Sequence, residues 1–235
     1  MPLTAAQICT RAAQIARVPG FLTQAGDSLN VVLQELCQDY DFAPARKTYN
    51  FNFNVSQIDP LSGQAYQDLP ADYLRGIRNE AFYTISGMPY PMIPLDLSEF
   101  DMLVEQAGLS NFPVFYYVSM SNSPPRMFFW MPPSGAYPAT VKYWSLMPDI
   151  ATPATSSAVP WFPNQKYLIK RVAAELMEDS DDERAPAFKT ACDSLLKGYL
   201  QMKDDKGDRA QVVELDRRRF GRSFDRLRNT KQIGW

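Results

Sequence analysis

The chain of 235 residues contains no histidine. That removes the side chain titrating nearest neutrality, and with it Ser-His-Asp and Cys-His relays, histidine metal ligands and histidine pH switches. Cysteine is scarce: Cys9, Cys37 and Cys192 are an odd number at wide spacings, which suits neither a disulfide framework nor a zinc site. Each sits in apolar periodicity and is expected to be a small buried hydrophobe in a reducing compartment. The 11 glycines form no G-x-G-x-x-G and no G-x-x-x-x-G-K-[ST], so nothing supports a phosphate cradle. Long apolar runs are missing too. The longest uncharged stretch, Gln106 to Pro125, holds Pro113, Pro124 and Pro125 among Asn and Ser residues, which excludes a spanning helix, and no membrane partner is expected. Arg11 and Arg17 fall where a signal peptide would need apolar residues, so a cytoplasmically made chain is expected. The net charge of −2 gives no overall pull toward nucleic acid or anionic lipid.

What is present is unevenly spread. Residues 1–42 hold 6 charged side chains, residues 43–161 hold 15 and residues 162–235 hold 29. In the first zone Thr4-Ala5-Ala6-Gln7 has the form of a capping box, and Ile8, Ala12, Ile15 and Ala16 follow one helix face until Pro19-Gly20 stops it. A second stripe, Leu29, Val32, Leu33, Leu36, Cys37 and Tyr40, completes a helical hairpin. The middle zone changes period from 3.6 to 2. Tyr49 to Val55 alternates apolar and amide residues, and similar strands fit Leu74 to Ile85, Val114 to Met120, Met127 to Met131 and Ala139 to Leu146. Leu97 to Gln106 reads as a short helix, and Pro89, Pro91 and Pro94 confine their stretch to an edge strand or extended arm. In the third zone Leu168, Ile169, Val172 and Leu176, then Phe188, Cys192, Leu195, Tyr199 and Met202, mark two more helices.

The expected fold class is α+β. Residues 1–42 and 162–203 form a helical domain, 43–161 an antiparallel sandwich or small barrel, and 204–235 a C-terminal arm. The run Glu178, Asp179, Ser180, Asp181, Asp182, Glu183 lacks the spacing of a calcium loop and reads as a solvated helix connection, ahead of a cation site. Asp96, Glu99, Asp101 and Glu105 could furnish the carboxylate pair of a glycoside hydrolase, but closely spaced carboxylates are common helix decoration. The aromatic run Phe112 to Trp144 could stack bases or sugars; with only Arg126 and Lys142 nearby, a β core is the better reading.

The most distinctive stretch is the end. Asp216 to Lys231 holds seven positive and two negative residues, including Arg217, Arg218, Arg219, Arg222 and Arg226. Phe220, Phe224 and Leu227 recur at i, i+4, i+7, and Trp235 closes the chain. Arginines mixed with large apolar side chains are the composition of an interface anchor, whereas an idle disordered tail has few aromatics. The segment is expected to dock on a protein, with nucleic-acid contact as the rival reading.

Two N-terminal helices, a β region holding Leu69-Pro70-Ala71-Asp72-Tyr73, Phe112-Pro113-Val114-Phe115-Tyr116, Phe129-Trp130-Met131-Pro132-Pro133 and Tyr137-Pro138-Ala139-Thr140-Val141-Lys142-Tyr143-Trp144, then two helices and an arm, follow in order. This sequence resembles the head-to-tail adaptor (tail tubular) proteins of short-tailed bacteriophages over essentially its whole length. The resemblance implies a virion structural protein with no enzymatic activity and no cofactor, made in the host cytoplasm. It implies a ring of 12 copies under the portal protein, genomic DNA passing through the channel, and a β region facing the downstream nozzle protein and tail fibres. The arm on the portal would be Arg217 to Trp235, the ring helices Thr4 to Tyr40 and Asn164 to Lys203, and Glu178, Asp179, Asp181, Asp182 and Glu183 could line the channel. Two alternatives from other classes are a polysaccharide hydrolase using Asp96, Glu99 or Asp101, and a nucleic-acid-binding module using the arginine arm.

Overall fold

The structure, a computed structural model, describes residues 2–104 and 112–205, without the side chains at 78, 79 and 202–205. The chain divides into two compact units, Met1–Cys192 and Asp193–Trp235. The expected α+β class is observed, with helices toward both ends and two sheets between them.

Helix α1 (Ala5–Ile15) begins with the capping box read from the sequence: the Thr4 hydroxyl accepts from Gln7 N–H at 3.3 Å and Thr4 N–H donates to Gln7 Oε1 at 3.1 Å. Its end differs from expectation. The helix stops before Pro19-Gly20, because Arg17 adopts a left-handed φ of 62° and lets Val18 N–H reach Ala13 O and Arg17 N–H reach Gln14 O, a Schellman closure. Helix α2 (Leu22–Asp39) starts well ahead of the apolar stripe at Leu29, with no side-chain cap to announce it. These two helices pack with α4 (Gln165–Asp179), burying Ile8, Ala12, Leu29, Val32, Leu36, Leu168, Val172 and Met177. Helix α5 (Ala185–Asp205) follows and carries the chain from the first unit into the second.

Between α2 and α4 the chain builds β1 (Arg46–Asn52), β2 (Tyr66–Asp68), β3 (Tyr73–Ile85), β4 (Met88–Pro91), β5 (Ile93–Pro94), the short helix α3 (Leu97–Val104), β6 (Phe115–Ser119), β7 (Arg126–Trp130) and β8 (Pro138–Ser145). One sheet has the order β1-β8-β3-β4, the other β2-β7-β6-β5. They share a single core in which Phe53 meets Phe129 edge-on, ring centroids 5.0 Å apart, with Tyr83, Met92, Tyr116, Met127, Val141 and Tyr143 around them. The arrangement is a sandwich, and one pairing departs from the antiparallel expectation: β5 runs parallel to β6. A parallel pair needs a crossover, and the segment containing α3 supplies it.

The prolines act as the sequence suggested. Met92 N–H donates to Ala81 O, so even-numbered positions of this stretch face β3 while Pro89 and Pro91 face outward, where no donor is needed. Ser86 and Gly87, both at positive φ, make the two-residue turn between β3 and β4.

The β region is tied to the helices at several points. Ser145 Oγ donates to Ala45 O at 3.0 Å, and Arg75 reaches both Gln38 O and the Asp41 carboxylate at the end of α2. The returning segment donates no strand but caps α1, accepting Ala5 N–H on Ala158 O and Ala6 N–H on Ser156 O, two groups a helix start otherwise leaves unpaired. Phe42, Trp161, Phe162 and Tyr167 stack edge-on or tilted where the chain leaves and re-enters the helical layer.

Candidate interaction surfaces

The arm residues Arg217, Arg218, Arg219, Phe220, Arg222, Phe224, Arg226, Leu227 and Trp235 lie outside the described residues, as does Glu105. The acidic run is described in full. Glu178 and Asp179 end α4, Ser180 caps it, and Asp181 at φ 53° allows Asp182 N–H to reach Met177 O, a second Schellman closure. Asp182 accepts from Arg184 N–H at 2.9 Å and from its guanidinium; these hydrogen bonds hold the carboxyl far below the usual range, at about 2. Glu178 pairs with Lys189. The run is therefore an ordered turn whose charge is partly neutralised by its own neighbours. Among the described residues no group of three or more His, Cys, Asp or Glu could hold a metal ion.

The carboxylates singled out for hydrolysis are surface groups at and within α3. Asp96, Glu99 and Asp101 are all exposed, Glu99 in the first turn of α3, where a helix start favours negative charge. Asp96 alone of the three lines a cleft, which measures about 300 Å³ and is walled by Tyr73, Ile77, Pro94, Leu97, Tyr116 and Val118. Burial pushes the Tyr73 hydroxyl well above the ordinary phenol value and raises that of Tyr116 as well, so both stay protonated there.

The aromatic run is core rather than platform. Tyr116, Met127, Phe129, Val141 and Tyr143 are buried. The alternate faces are only half exposed, because Tyr66 covers Phe128, Phe100 covers Tyr117, and Trp130 packs on Phe115 while its Nε1 donates to Leu103 O at 2.8 Å.

Sequence reasoning missed the hairpin that precedes β2. Ile58 bridges Ala65, and the tip between them carries Leu61, which is 97% exposed; Val55 and Ile58, earlier in the same stretch, are about half exposed. Asp59 organises the turn: its Oδ2 accepts from Ser62 N–H at 2.9 Å and Ser62 Oγ at 2.8 Å, and Arg126 on β7 meets its Oδ1 at 3.1 Å. The Ser62 hydrogen bonds, then the Arg126 charge, keep this carboxyl below its ordinary value. Arg126 also bonds Asp68 and stacks over Tyr66, 4.4 Å from the ring centroid. The sequence signal was Asp59-Pro60 followed by Ser62-Gly63, a turn signature embedded in loop-like composition.

Among the described residues, exposed apolar side chains such as Leu61 are the distinctive surface feature. No curated protein matches the chain. A family model does, over residues 3–218, which takes in both helical ends, the whole β region and the first arginines of the arm. The chain belongs to the SU10 adaptor protein family, in accord with the resemblance to phage head-to-tail adaptors.

Proposed function

We propose that this adaptor docks as a ring beneath the portal protein, continues the channel for genomic DNA, and offers its β region to the downstream nozzle protein and tail fibres. In this reading residues 1–42 and 162–203 build the ring, 43–161 form the outward region, and 204–235 reach along the portal. The observation that carries it is the family match running from residue 3 through the end of the described helices to residue 218. Composition supports the arm: arginines supply bidentate, weakly hydrated contacts, and Phe220, Phe224, Leu227 and Trp235 supply apolar area to bury. Glu178, Asp179, Asp181, Asp182 and Glu183 face the channel in this account. Like charge there keeps DNA from sticking, though Lys189 and Arg184 reduce the effect at two of the five positions.

Deletion of Arg217 to Trp235 is the direct test. The truncated chain should fold and stay soluble yet no longer co-sediment with portal rings. Phe220→Ala with Phe224→Ala should weaken attachment more than neutralising any one arginine, since exposed charges contribute little and buried anchors much. Attachment of the truncated chain as tight as that of the full chain would overturn the reading. Binding of the arm to DNA, weakening by roughly 0.9 log units per phosphate contact for each log unit of salt, would favour the nucleic-acid alternative.

A further inference from the structure

The chain returns from the β region to the helices through a segment anchored at both ends and held by polar ties in between. Ser145 at one end and Phe162 at the other are fully buried. Between them Gln34 Nε2 donates to Asp149 Oδ1 at 2.6 Å, Asn30 exchanges two hydrogen bonds with the Ile150 backbone at 3.1 Å, and the Ala5 and Ala6 N–H groups donate to Ala158 O and Ser156 O at 2.8 and 3.2 Å. Pro153, seated over Gly26 of α2, is the one buried residue of 149–158; Ala151, Thr152, Thr155, Ser157 and Ala158 are exposed. An element with so little buried apolar surface and so many hydrogen bonds near solvent belongs to the part of a fold that opens first.

Its closed form is strained. Thr152 has φ 45°, in the left-handed region where a β-branched residue is an outlier, and it precedes Pro153, whose ring pushes the residue before it toward extended backbone. Thr155 N–H, Ser156 N–H and the Thr155 hydroxyl converge on Thr152 O at 3.0, 3.0 and 3.4 Å and hold it there. Just beyond the segment, Trp161 Nε1 is buried with no hydrogen-bond partner among the described residues, its ring 5.7 Å from that of Phe42 on the outgoing connection. Strained backbone and orphaned buried donors persist only where the surroundings over-determine them, and they concentrate in switch segments.

We propose that residues 149–158 are a releasable strap, closed on α1 and α2 in the free chain and lifted when the chain enters the ring. The inference rests on the ring reading above and adds a conformational step to it. Lifting breaks polar ties that water replaces, uncovers a single buried proline and frees Thr152 from its left-handed backbone. It also lengthens one of the two connections to the β region, leaving the link at 40–45 and the partly exposed Arg75–Asp41 pair as a hinge. A β region able to tilt about that hinge meets neighbours on both sides at once, which two short fixed connections do not allow. A partner shifts such an equilibrium only by binding the lifted form better, and the tilt is where that difference arises.

The test assembles full-length chain carrying Gly26→Cys and Pro153→Cys on portal rings. A Cβ at position 26 lies 3.3 Å from the Pro153 Cβ, at the short end of the separation a disulfide spans, and the native Cys9, Cys37 and Cys192 are buried. Oxidation of the double variant should lower ring yield about tenfold or more relative to the same sample reduced, because a locked strap has no lifted state; either single variant should be indifferent to oxidation. In the unaltered chain, hydrogen exchange at the Ala5, Ala6 and Ile150 amides should speed up on incorporation into rings, while the Ile8 and Ala16 amides, bonded within the first helix, stay protected. Equal ring yield oxidised and reduced, with the disulfide confirmed by mass, would overturn the strap and leave the ring reading standing. So would exchange at those three amides that slows or stays the same in the ring, and this measurement decides alone if the cysteine pair fails to oxidise or impairs folding. If the unaltered chain forms no ring on the portal, both the strap and the ring reading fail.

Discussion

Asn30 and Ile150 hold one another across 120 positions of sequence: Asn30 Nδ2 donates to the Ile150 carbonyl and Ile150 N–H donates to Asn30 Oδ1, each at 3.1 Å. One amide side chain thus satisfies both backbone groups of a residue that has left the β region and begun its return along α2. Asn30→Ala should destabilise the protein by roughly 1–3 kcal/mol, because it strands a donor and an acceptor in a partly buried place. Urea denaturation reads this as a lowered midpoint with unchanged slope; an unchanged midpoint would mean water replaces the amide at no cost.

Gly26 lies in α2 under the same returning segment. A Cβ there would come 3.2 Å from Ala154 N and 3.3 Å from Pro153 Cβ. Gly26→Ala gains about 1 kcal/mol of helix propensity and spends it on a small shift of the segment, so the net change should be near zero. Gly26→Val cannot be absorbed that way and should cost about 1–3 kcal/mol by thermal melting. Equal melting temperatures for the two variants would show that the segment yields freely.

Asp182 should titrate at about 2 in the folded protein, because Arg184 donates to it from both guanidinium and backbone. An unfolded aspartate titrates near 3.9, so the folded value is depressed, and the stabilisation is complete above about pH 4 and is lost as pH falls toward 2. Carboxyl carbon NMR across that range follows the group directly. Arg184→Ala, which removes the guanidinium but keeps the backbone N–H, should raise the midpoint part of the way toward the ordinary aspartate value; a native midpoint already near about 4 would remove the proposed link between the two side chains.

Much of this fold was legible before any coordinates. The Thr4–Gln7 box, the alternation through Tyr49, Phe51 and Phe53 and the outward prolines at 89 and 91 each carry a local signal strong enough to survive tertiary context, although β1 runs Arg46–Asn52 and Val55, expected in the strand, sits in the turn after it. What escaped had none. The three residues of β2 are too few to show a period, and α2 begins at Leu22 without a capping side chain. The end of α1 was misplaced because a left-handed Arg17 is unusual, and the Pro19-Gly20 pair looked like the obvious stop. The parallel pairing of β5 with β6 depends on which strands the α3 crossover brings together, a non-local fact. Of the proposed site residues, the acidic run was found by charge alone, but its pairing with Arg184 and Lys189 required the turn geometry. Leu61 was passed over because one leucine in a loop of Ser, Gly, Pro and Gln has no periodicity to mark it.

The proposed role is that of a connector that works by fitting between other subunits. Mass measurement of the full-length chain, alone and mixed with isolated portal rings, tests that most directly. The chain by itself should run as a monomer, and the mixture should yield one complex of defined stoichiometry. A chain that stays monomeric in the presence of portal rings would contradict it.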